Sequence, residues 1–88
     1  MKQFLPLGTV VLLKDAEKKL MIVGRSQAMD GTHYDYSACL FPEGYIGSDQ
    51  MVVFNQEDIG KVFYMGMQNE EEFAFRGVLA ASEEKRQS

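Results

Sequence analysis

The residues with reactive side chains crowd into one stretch, HYDYSACLFPEGYIG at 33–47, which contains the chain's one histidine and its one cysteine. A cysteine nucleophile needs its thiolate form, favoured by a nearby cation or a helix N-terminus, and a base within hydrogen-bond reach. His33 is the sole imidazole that could serve Cys39. The stretch alternates as an extended strand does, with Tyr34, Tyr36, Ala38 and Leu40 on one side and His33, Asp35, Ser37, Cys39 and Phe41 on the other. Along such a strand the two reactive groups stand about 20 Å apart, at ~3.3 Å per residue. No catalytic residue is therefore expected. Cys39 reads as a small buried apolar side chain and His33 as a surface residue.

Spacing also argues against a metal or phosphate site. Zinc takes three or four converging ligands, and no CxxC or HxxxH pair occurs. Asp30, Asp35, Glu43 and Asp49 surround a glycine-containing loop, but their intervals do not match a calcium loop closed by a bidentate glutamate. They read as solvated turn residues. Gly44 and Gly47 bracket Tyr45 and Ile46 instead of opening a helix, so no phosphate cradle is implied and no cofactor is expected. Pro42 and Gly44 simply turn the chain after Phe41.

Recognition of another protein is the chemistry that remains. Tyr34 and Tyr36 read first as core or half-buried packing and second as a contact platform, since aromatics with a polar tip are enriched at interfaces. Near the C-terminus, Phe75, Val78 and Leu79, with Phe73 and Ala81 beside them, form an apolar stripe on a helix, which must be covered by its own sheet, a partner or a second copy. Tyr34, Tyr36, Phe73, Phe75, Val78 and Leu79 are the candidate protein-binding positions. Gly77 beside the stripe, where alanine would be the better helix former, suggests a close neighbour. Met21 and Met51 read as internal, and Met29, Met65 and Met67 as rim residues.

Short strands and one helix must position these groups. Thr9 to Lys14 reads as a first strand, and Leu20 onward as a long second strand bent at Gly24. Asp30-Gly31 is a hairpin signal that leads into the alternating third strand. MVVFN is a short fourth strand, QEDIG a single helical or 3₁₀ turn, and KVFYMGM a fifth strand. The expected fold is mainly β with a C-terminal α-helix (α+β): a five-stranded, mostly antiparallel, barrel-like sheet over about 9–67. The short turn before the last strand is shared with SH3-like barrels. Val11, Leu13, Ile22, Leu40, Val53, Ile59 and Val62 are the predicted core. Asn69 and Glu72 resemble a capping box, Glu70 to Glu72 suit the positive end of a helix, and Lys85 and Arg86 the negative end. The helix is placed at about 69–84, three to four turns, with 85–88 as a frayed tail.

At 88 residues the chain is one domain, and 45% hydrophobic with 25% charged residues is ordinary globular composition. Pro6 and Gly8 interrupt the N-terminal apolar stretch, so no signal peptide is expected, and no apolar run approaches the ~20 residues that span a membrane. A lone cysteine suits a reducing cytoplasm. The net charge of −4 is the wrong sign for gripping phosphates, so neither nucleic acid nor membrane is an expected partner.

LPLGTVVLLK, KKLMIVGR, YDYSACLFPEG and FNQEDIGKVFYMG, in that order over about residues 5 to 66, resemble an uncharacterised family of small proteins from Gram-positive bacteria, catalogued as a domain of unknown function. Members of that family are commonly encoded beside type VII secretion systems and their LXG-type toxins. The resemblance implies a cytoplasmic, non-enzymatic accessory role: an adaptor or chaperone for a secreted effector or its helical companion, with an immunity or regulatory protein as the alternative. It carries no catalytic residues. The resembling positions Leu5, Gly8, Gly24, Tyr34, Asp35, Tyr36, Pro42, Glu43 and Gly44 are open to a structural role as turns, bends and a strand end. Self-association through the C-terminal helix is a further expectation.

Overall fold

The computed structural model describes residues 3–87. Five strands, β1 (Val10–Leu13), β2 (Leu20–Met29), β3 (Thr32–Leu40), β4 (Val52–Phe54) and β5 (Ile59–Tyr64), precede one helix, α1 (Glu70–Gln87). The 3₁₀ turns Ser48–Gln50 and Gln56–Asp58 lead into β4 and β5. All pairings are antiparallel, in the order β4-β3-β2-β1-β5. The expected fold class holds. Because β4 and β5 are edges that do not pair with each other, the sheet is open and only loosely barrel-like.

Turn chemistry sets the register. Asp30 and Gly31 both take positive φ, 51° and 81°, as a two-residue type I′ hairpin requires, and this fixes β2 against β3 from Met29↔Thr32 onward. Register shifts between Ile22 and Gly24, where the bend is expected; a Cβ at Gly24 would fall 2.3 Å from Ser37 Oγ. The last strand stops at Tyr64, short of the expected Met67. There Gly66 N donates to buried Thr9 Oγ1 at 3.0 Å, and a Cβ on Gly66 would lie 2.0 Å from the Leu7 carbonyl oxygen. The backbone is pressed against the segment before β1, and the ladder ends.

Phe4, Val11, Leu20, Ile22, Tyr36, Ala38, Phe54 and Leu79 form the buried core. Of the predicted core, Val11 and Ile22 are fully buried, while Leu13, Leu40 and Ile59 pack against it half-buried. Val53 is half-buried outside that cluster. Val62 is a correction: at 40% exposure it is surface, because β5 is an edge strand with a neighbour on one side alone. Met21 and Met51 are half-buried, not internal. The sequence pattern missed Phe4 and Leu79, which come from outside the sheet. Phe4 stands edge-on to Tyr36, ring centroids 5.9 Å apart, and Tyr36 lies 5.5 Å from Phe54. Such pairs add about 0.5–1.5 kcal/mol each beyond the area they bury.

Asn69 Oδ1 accepts Glu72 N–H at 2.9 Å and so caps α1. The reciprocal half of the expected box is replaced, since the Glu72 carboxylate turns to arginines instead. The helix runs 18 residues, about five turns at 3.6 per turn, longer than expected. Residues 85–87 are helical, and Ser88 and the side chains of Arg86 and Gln87 lie outside the described residues. Leu79, Ala80 and Glu83 are buried near this end of the helix. Gly77 has no neighbour within 4 Å of a built Cβ, so the close approach read from it is corrected. No helix among the described residues is long and apolar enough to cross a membrane.

Candidate functional site

The six candidate contact residues separate into two groups. Phe73, Phe75 and Val78 stand exposed on α1, at 55%, 50% and 61%. Leu79, one residue on, is in the core, so the stripe is split and its assignment as a contact residue is corrected. The geometry explains the split: adjacent helical residues face about 100° apart, and the sheet takes the Leu79 side. This also corrects the reading of α1 as separable from the core. Tyr34 is half-buried, and Tyr36 is fully buried and cannot present its ring to a partner.

Tyr36 instead anchors a polar network. Its hydroxyl accepts Leu5 N–H at 2.9 Å and donates to Gln56 Oε1. Next to it, Asp35 is 3% exposed, not a solvated turn residue: Asp35 Oδ2 accepts Gln56 N–H at 2.8 Å, and Asp35 N–H donates to Asn55 Oδ1 at 3.0 Å. Asn55 and Asp58 complete a capping box for the Gln56–Asp58 turn. The spacing N-x-x-D before β5 carried that signal, and only a helical turn was read from it. The Gln56 backbone N–H replaces water at the buried Asp35 carboxylate, which offsets part of the cost of burying it.

A second network ties α1 to β2. Arg25, with a side chain 3% exposed, donates through Nη1 to Glu72 Oε2 at 2.6 Å, reaches the Leu5 carbonyl at 3.4 Å and lies over the Phe75 ring at 5.3 Å. Arg76 donates to the same oxygen, from Nε at 3.2 Å and from Nη2 at 3.0 Å. The Arg25 hydrogen bond, then that of Arg76, holds the Glu72 carboxyl below its ordinary range against the opposing effect of burial. Single-sequence reading had no means of pairing Arg25 with a residue so distant in the chain.

His33 and Cys39 lie on the same strand, and Cys39 is buried. What does converge on His33 comes from elsewhere. One ligand-type atom each of His33, Asp35 and Glu83 lies within 4.8 Å of the others, and Ser26 Oγ and His33 Nε2 hydrogen-bond at 2.9 Å. His33 and Asp35 follow the i, i+2 rule of a strand; Glu83 arrives from the last turns of α1.

The exposed apolar surface extends beyond α1. On β5 and the segment after it, Val62, Phe63, Tyr64, Met65 and Met67 are all exposed, with Lys19 Nζ and Lys61 Nζ 4.7 and 4.8 Å from the Phe63 ring centroid. In the loop after β3, Tyr45 and Ile46 are exposed, and Glu43 is tied to Lys18 at 2.7 Å.

No curated protein and no solved structure matches the chain. The model of one family, DUF4176, a domain of unknown function, matches residues 4–75, from the Phe4 that closes the core to the Phe75 that lies against Arg25, and the chain belongs to that family.

Proposed function

We propose that the protein is a non-enzymatic binding module that holds a protein partner on the exposed apolar surface formed by β5 and α1. Following the resemblance described above, the partner is an LXG-type effector of a type VII secretion locus, or its helical companion, held in the cytoplasm before export. The observation that supports this most is that Val62, Phe63, Tyr64, Met65 and Met67, and after them in the chain Phe73, Phe75 and Val78 on α1, are all exposed. An excess of large exposed apolar side chains is characteristic of interaction sites. Flexible methionines at a rim suit a face that adapts to its partner.

The test is co-purification with an LXG-type effector. Phe73→Asp with Val78→Asp, both on exposed positions, should abolish capture while circular dichroism keeps the native spectrum. Retained capture by the folded double variant would move the surface to β5 or to Tyr45 and Ile46. Binding to the effector's shared N-terminal region supports the adaptor reading, binding to its variable toxin region makes the protein an immunity factor, and self-association alone would make α1 a dimer contact.

A further inference from the structure

We propose that His33, Asp35 and Glu83 bind a single divalent metal ion of the zinc type. The three residues offer one imidazole nitrogen and two carboxylate oxygens, all within 4.8 Å of one another, from two elements far apart in sequence. Such a mixed nitrogen and oxygen set suits zinc and its first-row neighbours; calcium and magnesium favour an all-oxygen shell of six or more. Ligands about 2.0–2.2 Å from a tetrahedral zinc ion stand roughly 3.3–3.5 Å from each other, so the site closes with inward movements of about 1.5 Å or less.

Two features support a metal beyond proximity. Asp35 and Glu83 are 3% and 4% exposed, so their donor atoms are held in a low-dielectric, water-poor setting, while half-buried His33 leaves one side open for a fourth, exchangeable ligand. The Ser26 hydroxyl, 2.9 Å from His33 Nε2, is an outer partner of the kind that orients metal-ligating imidazoles and would leave Nδ1 for the metal. Asp35 and Glu83 engage in further polar interactions. Each carboxylate has about four lone-pair positions, so these contacts and a metal bond are compatible. A bound ion would join β3 to the end of α1, independently of the surface on which a protein partner docks.

The experiment uses the full chain, stripped with a chelator, and zinc chloride alone. Calorimetry should show one saturable equivalent, cobalt substitution should give a tetrahedral or five-coordinate visible spectrum, and melting should move to higher temperature with zinc. His33→Gln and Glu83→Gln should each remove saturable binding, and Ser26→Ala should weaken it 10- to 100-fold, the usual effect of losing an outer partner. Asp35→Asn is avoided because Asp35 also holds the Gln56 amide. Cys39→Ser serves as the control and should bind as the unaltered chain does. Should Glu83→Gln fail to fold, His33→Gln decides alone. The proposal is overturned if less than one equivalent binds, or if binding survives in folded His33→Gln or is lost in Cys39→Ser.

Discussion

Arg25 Nη1 and Glu72 Oε2 meet at 2.6 Å, and this contact fastens the first turn of α1 to β2 with both side chains almost wholly enclosed. Removing one partner from a buried pair leaves a charge uncompensated, at about 3–5 kcal/mol. Glu72→Gln should lose stability in that range by chemical denaturation. The pH dependence has a definite sign. The folded-state pKa of Glu72 is lowered, so between the folded and unfolded values the unfolded chain binds more protons. The contribution is complete above the unfolded value near 4.3 and disappears as pH falls through the lower, folded one. Acid unfolding of Glu72→Gln should therefore show a shallower loss below pH 5 than that of the parent.

Tyr36→Phe keeps the ring between Phe4 and Phe54 and deletes the hydroxyl. Leu5 N–H and Gln56 Oε1 then lose their partner, at about 1–3 kcal/mol. Urea unfolding should show a lower midpoint with an unchanged slope; an unchanged midpoint would show that water replaces the hydroxyl.

Two glycines give opposite expectations. Gly66→Ala drives a methyl into the Leu7 carbonyl, backbone against backbone, and should lower the melting temperature by several degrees or prevent folding. Gly77→Ala meets open space on the helix and should add up to about 1 kcal/mol from helix propensity. Parallel thermal melts check both.

Neighbouring α1 residues should respond in different ways. Leu79→Ala should cost about 2–5 kcal/mol as a core truncation, while Val78→Ala should fall within about 0.5 kcal/mol as a surface change. Equal effects in denaturation would mean that α1 is rotated about its axis relative to this packing.

Cys39 is 2% exposed on β3. Cys39→Ala should preserve partner binding, and the native thiol should react slowly with a bulky thiol reagent until denaturant is added. Fast native-state labelling would contradict its burial.

The sheet was legible because its signals are local. Asp30-Gly31 names its own turn, Gly24 its bend, and the alternation of β3 its two sides. The errors share a cause. Val62 carries the same local pattern as Val11, and what distinguishes them is that β5 is an edge, a property of strand order. Asp35 looks like a loop acid until Gln56 and Asn55 are brought to it, and Arg25 like a surface base until α1 supplies Glu72. The helical pattern of Phe73, Phe75, Val78 and Leu79 does not say what covers them, and that the core takes Leu79 while the other three stay exposed depends on where the sheet sits, which periodicity alone does not encode. Glu83 meets His33 and Asp35 only through the tertiary fold.

Phe4 and Leu79 enclose the same core from opposite ends of the chain. During synthesis the five strands leave the ribosome before the residue that seals them, so the nascent sheet is uncovered until α1 has emerged. The pairing of β1 with β5 likewise joins segments far apart in sequence, and contacts of that kind form more slowly than those of a hairpin. A stop codon placed after Met67 should yield a chain that chaperones and proteases recognise, even though it encodes every strand.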